Sequence, residues 1–119
     1  MAPGIDWTGY TRVHSDRRNL LIHAIAVPLF VAAIVLLAVC LVLGAYIFAS
    51  LSLVGAMTAV ALQAWGHTLE VHAPEPFSGP GNFLKRWFGE QFVVFPVFFL
   101  TGRWWRQFRA SARGAGDAA

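Results

Sequence analysis

The chain has 119 residues, 57% of them hydrophobic and only 13% charged, with a mean hydropathy of +0.58 and a formal net charge of +3. At ~100–200 residues per domain this is one unit, and so apolar a composition excludes a disordered or solvated acidic chain. A single cysteine excludes an intramolecular disulfide scaffold and a thiolate zinc site. With so few charges in all, the basic balance points to an anionic membrane surface and not to nucleic acid.

In chain order, Trp7, Tyr10 and His14 come first, spaced i, i+3, i+7. They fit one face of a short N-terminal amphipathic helix that breaks before Ser15, a candidate cap for the first long helix. From Asn19 to Leu69 there is no Asp, Glu, Lys or Arg. A helix crossing a ~30 Å hydrocarbon core needs about 20 apolar residues, so this stretch suffices for two crossings and a tight connection. The spans are expected at about residues 20–43 and 48–66. Lipid tolerates them only as helices, because every backbone polar group must be paired internally. Cys40, inside the first span, reads as a small packing residue.

After the second span, residues 73–81 hold three Pro and two Gly and must form a loop. A C-terminal helix is expected over about 83–109. Gln91–Leu100 is apolar but short, carries Pro96 and has basic residues on both sides. It reads as an interfacial or re-entrant segment anchored by Arg103-Trp104-Trp105-Arg106, with a third span as the alternative. The tail 111–119 is small, polar and expected to be disordered. The fold class is therefore all-α: an integral membrane helical hairpin with a short helix before it and an interfacial helix after it. Every Lys and Arg lies outside the charge-free stretch, and the positive-inside rule puts both termini in the cytoplasm.

Polar groups at membrane depth are costly, so they usually serve a ligand or a pathway. Asp16, Asn19 and His23 share one face at the start of the first span, spaced i, i+3, i+7. Gln63, His67 and Glu70 share one face at the end of the second, spaced i, i+4, i+7. An antiparallel hairpin brings those two ends together. On one continuous helix His14 and His23 would face apart, being nine residues and half a turn out of phase. A break at Ser15 lets the first helix fold His14 over the hairpin, and Pro28 kinks the span one turn beyond His23. Three imidazoles and a carboxylate at one depth form a donor set suited to Fe(II), Zn or Mn, and they do not name a reaction.

The order Tyr10, His14, Asn19, His23, Pro28, then Gln63, Gly66-His67, Glu70 and Pro74, resembles the small membrane-protein family of the fungal 2-hydroxy fatty acid dioxygenase. The likeness runs from about Trp7 to Trp105 and takes in Glu90-Gln91 and Phe95-Pro96. It implies an Fe(II)-dependent enzyme of fatty acid α-oxidation that uses dioxygen to shorten a 2-hydroxy acyl chain by one carbon. On that implication His14, His23 and His67 are metal ligands, and Glu70 is a fourth ligand or an acceptor that orients an imidazole. Tyr10, Asn19 and Gln63 are candidates for supporting or substrate head-group hydrogen bonds. The partners are then a fatty acyl substrate or membrane lipid and dioxygen, with a homo-oligomer left open. Two other classes remain: a haem b protein with His23 and His67 as axial ligands, and a non-catalytic helper that packs on a larger membrane protein.

Overall fold

The computed structural model describes residues 5–118, with side chains through Ser111, and every regular element among them is helical. Helix α1 (Trp7–Arg12) starts at Asp6, whose carboxylate accepts the Gly9 N–H at 3.0 Å. The break comes next, at Val13–Asp16. Helix α2 (Arg17–Val42) is capped by Asp16 and not by Ser15: the Asp16 carboxylate accepts the Arg18 N–H at 2.8 Å and also holds the Arg18 guanidinium. An ionised cap satisfies an orphan amide more strongly than a hydroxyl.

Between α2 and α3 (Tyr46–Thr68) the turn is tighter than the sequence suggested. Gly44 takes φ +71°, and the Ala45 and Gly44 amides bond back to the carbonyls of Cys40 and Leu41. This paired closure needs a left-handed residue, which glycine adopts without strain. Along the hairpin seam α3 buries Ala49, Ala56, Ala59, Gln63 and Gly66, and α2 buries Ala26 and Ala33. Small residues let two helices approach closely where apolar burial between them adds little, as in lipid. At Gly66 the approach is closest: a Cβ there would collide with the side-chain oxygen of Asn19.

Both hairpin helices are long and apolar enough to cross a membrane, with window hydropathies of 3.1 and 1.8. Only 22% of each window is buried, so most of the apolar surface points outward. A core helix of a soluble domain would be covered instead.

The C-terminal region differs from the single helix expected over 83–109. Helix α4 (Pro80–Gly89) runs through a π turn (Glu90–Val94) into α5 (Phe95–Leu100), and α6 (Arg103–Ala118) lies beyond a sharp turn. That turn is made by Gly102 at φ +84°. The π turn has a local cause: Pro96 has no N–H for the carbonyl four residues back, and the Phe95 amide bonds instead to the Glu90 carbonyl. The α4–α5 segment packs antiparallel to α2. Phe88 and Phe92 touch Phe30, Phe95 lies against His23, and Phe98 joins Leu20 in one buried cluster. The segment therefore ends at the Arg17 end of the hairpin, the same end where α3 finishes. It re-enters along the hairpin and is not among the helices long and apolar enough to cross a membrane. Helix α6 then closes over α1. Trp104 donates its indole N–H to the Leu20 carbonyl at 3.0 Å, and Gln107 donates to the Thr11 carbonyl at 3.2 Å. The backbone of α6 continues past Ser111, so its helix reaches into the region expected to be a disordered tail; the side chains there lie outside those described.

Candidate metal centre

Three histidines from three elements meet at the closed end of this arrangement. His23 lies in the second turn of α2, His67 in the last turn of α3, and His14 in the break after α1. Their ring centroids stand 4.8, 4.8 and 4.9 Å apart, with interplanar angles of 77–85°. One nitrogen from each falls within 4.8 Å of the other two. His14 and His23 are buried and His67 is half-buried.

Two of the rings are oriented by their own helices. His14 Nδ1 lies 2.8 Å from the Tyr10 carbonyl, and His23 Nδ1 lies 3.1 Å from the Asn19 carbonyl, both four residues back. A carbonyl only accepts, so each Nδ1 carries the proton and each Nε2 presents a lone pair. That is the state in which an imidazole binds a metal. His14 Nε2 and His67 Nδ1 have no hydrogen-bond partner although both are buried. Native interiors rarely leave such atoms unpaired. Burial holds the His14 imidazole well below its usual range, His23 and His67 add to the effect, and the Tyr10 carbonyl opposes it. His14 is therefore neutral at physiological pH.

The structure gives Glu70 different work from the ligand role implied for it. Its carboxylate accepts from the Ser15 amide at 2.9 Å, the Asp16 amide at 3.0 Å, the Ser15 hydroxyl at 3.1 Å and the Asn19 amide group at 2.7 Å. Three of the four donors sit at the α1–α2 joint, one or two residues from His14, and the fourth, Asn19, lies in the first turn of α2. Glu70 pins that joint, and through it His14, to the end of α3. Its oxygens are occupied and are not among the atoms that converge with the imidazoles. Asn19 is fully buried beneath this carboxylate against Gly66, which explains why a glycine precedes His67.

Gln63 is likewise committed elsewhere. It exchanges two hydrogen bonds with Gln91, at 2.8 and 2.9 Å, and both residues are buried. This closed amide pair ties α3 to the π turn. Tyr10 stacks on His14 at 4.0 Å and donates its hydroxyl to Glu90 at 2.7 Å.

Glu90 and Gln91 are the polar residues that sequence reasoning did not place at the site. The signal was there: adjacent polar side chains interrupt an apolar, Phe-rich stretch, where a solvated helix would show wider alternation. Burial pushes the Glu90 carboxyl up to about 7, against the opposing hydrogen bond from Tyr10. His72, exposed in the loop after α3, takes no part.

If Glu70 anchors the joint, Glu70→Gln should lower stability and leave metal binding largely intact. The amide NH2 would face backbone N–H donors, and losing hydrogen bonds to a charged acceptor costs about 1.5–3 kcal/mol. Thermal unfolding in detergent reads the first effect and metal content the second. Unchanged unfolding with complete loss of metal would return Glu70 to the ligand set.

Fold and site together define a class: an all-helical protein with two helices long and apolar enough to cross a membrane, and a cluster of three imidazoles where those helices end. The chain matches no family model, no curated protein and no solved structure.

Proposed function

We propose that the protein is a membrane-embedded, Fe(II)-dependent enzyme that uses dioxygen to shorten 2-hydroxy fatty acids by one carbon. The observation that carries this reading is the set of three nearly perpendicular imidazoles, two of them with Nδ1 on a carbonyl and Nε2 left with its lone pair, and two buried nitrogens unpaired. Neutral nitrogen donors from separate helices, with a carboxylate close by, are the donor types that suit Fe(II). Iron and the hydroxy acid come from the family resemblance. Bound Fe(II) would supply activation of dioxygen and a Lewis-acid anchor for the hydroxyl and carboxylate of the substrate.

The chain itself supplies the rest. Between α2 and α5 runs an apolar groove of about 420 Å³, lined by Ala24, Val27, Pro28, Phe95, Pro96 and Phe99 among others. Such a volume falls in the ~300–1,000 Å³ range of ligand sites. Both prolines lack an N–H; Pro28 lies inside a continuous α2, and Pro96 follows the π turn. The groove begins one turn from His23, whose ring neighbours Phe95 at 6.1 Å. An acyl tail lying there has its polar head at the level of the imidazoles. Arg17 and Arg103 sit at the same end, stacked on Phe108 and Trp7, and favour an anionic head group.

The haem reading loses support on geometry. His14 stands 4.8 Å from both His23 and His67, filling the slot that a porphyrin between axial ligands would need. Metal analysis and an absorption spectrum of anaerobically purified protein test the assignment. Stoichiometric iron without a Soret band is expected; a Soret band would establish the haem class, and absence of any metal would favour the helper class.

On this reading both termini lie in the cytoplasm, because every Lys and Arg falls outside the stretch from Asn19 to Leu69. A cysteine at exposed Ser50 should react with an impermeant reagent from outside, and cysteines at Ser15 and Ser111 should not. Labelling at Ser111 from outside would overturn the re-entrant placement of residues 91–100.

A further inference from the structure

The charge at the candidate centre does not balance. A divalent cation on three neutral imidazoles keeps its full charge in apolar surroundings, and an uncompensated buried charge is strongly unfavourable. Glu70 brings negative charge near the cluster, but its two oxygens already accept from Ser15, Asp16 and Asn19 and are not free to be ligands. Glu90 also lies outside the cluster of three imidazoles, but it approaches that cluster from the His14 side. Its Oε2 lies 3.9 Å from His14 Nε2, the buried nitrogen without a hydrogen-bond partner.

A separation of 3.9 Å is too long for a hydrogen bond. The His14 proton is on Nδ1, donated to the Tyr10 carbonyl, so Nε2 and Oε2 are two acceptors facing each other with no donor between them. A cation between them would relieve the repulsion of those lone pairs. Resting on the metal reading above, we propose that Glu90 is the anionic fourth ligand of the centre and that Tyr10 is its positioning residue.

Two local features hold Glu90 there. The π turn begins at Glu90; Gln91, Phe95 and Phe98 are buried along it, and the Glu90 side chain keeps 19% exposure beside His14. Such turns are often found at functional sites. Tyr10 stacks on the ring of His14 and donates its hydroxyl to the same Oε2, so one side chain orients both members of the pair. The resulting set of three imidazoles and one carboxylate on separate elements is closed by tertiary packing alone.

The test uses Co(II) as the probe, bound to the full-length protein in detergent, with affinity read by chelator competition and coordination by visible absorption. Wild type should bind one Co(II). Glu90→Gln keeps an oxygen that accepts from Tyr10, so it should fold as wild type by circular dichroism. It should bind Co(II) at least about tenfold more weakly, with a shifted ligand-field spectrum. Tyr10→Phe should weaken binding by about 10–100-fold, typical of a lost hydrogen bond to a ligand, without abolishing the spectrum. Wild type and Glu90→Gln binding with equal affinity and identical spectra would overturn the role of Glu90 while leaving the imidazole site standing. If wild type bound no Co(II), the metal reading itself would fall, and this inference with it. Should Glu90→Gln not fold, an unaltered affinity and spectrum in Tyr10→Phe would count against the proposal in the same way.

Discussion

His67→Ala is expected to give a protein that inserts and folds and yet carries no stoichiometric iron. The hairpin does not depend on that imidazole. Its seam is closed by Ala26, Ala33, Ala56 and Ala59, the Gln63–Gln91 pair ties α3 to the π turn, and Trp104 ties α6 to α2. Losing one interhelical polar contact at membrane depth costs about 1 kcal/mol. On the proposed reading, losing one of three imidazoles removes a metal ligand outright and leaves only two to hold the ion. His23→Ala should behave alike, with a somewhat larger loss of stability because His23 is the more deeply buried of the two. Helical content by circular dichroism and iron by elemental analysis separate the two effects. Full iron occupancy in both variants would mean that the histidines serve packing alone.

Supplied with Fe(II), dioxygen and a long-chain 2-hydroxy acid, the protein should release a product one carbon shorter. The plain fatty acid of equal length should turn over poorly. Both acids bury the same tail in the groove between α2 and α5, so a difference between them must arise at the head, where the hydroxyl adds a second oxygen beside the carboxylate. Asn19→Ala should weaken turnover by roughly 10–100-fold, because it removes the side-chain link to Glu70 and leaves the Asn19 carbonyl that orients His23 in place. His67→Ala should erase it. Equal turnover of the hydroxylated and plain acids would argue against recognition through the hydroxyl, and silence toward every 2-hydroxy acid would end the dioxygenase reading for this chain. Product chain length by mass spectrometry decides among these outcomes.

Local pattern carried the hairpin and its polar faces. A stretch without charge from Asn19 to Leu69 determines two apolar helices, because length and hydropathy are properties of the segment itself. The i, i+3 and i+4 spacings put Asn19 with His23 and Gln63 with His67, and an antiparallel pair must then bring those faces to one end. His14 joins them by the same reasoning once the chain breaks before α2, and the structure places that break at Val13–Asp16. What periodicity cannot carry is which distant group meets which. Glu70 shares a face with His67, yet its carboxylate turns to the Ser15 and Asp16 amides, unpaired donors at a helix start that draw the nearest anion. Glu90 is twenty-three residues beyond His67 in sequence and comes within 3.9 Å of His14 through the packing of α4, the π turn and α5 along α2. Gln63 finds Gln91 across the same packing. These pairings are settled by how α4 and α5 lie along α2, and that depends on the shape of the whole assembled surface, which no single segment encodes.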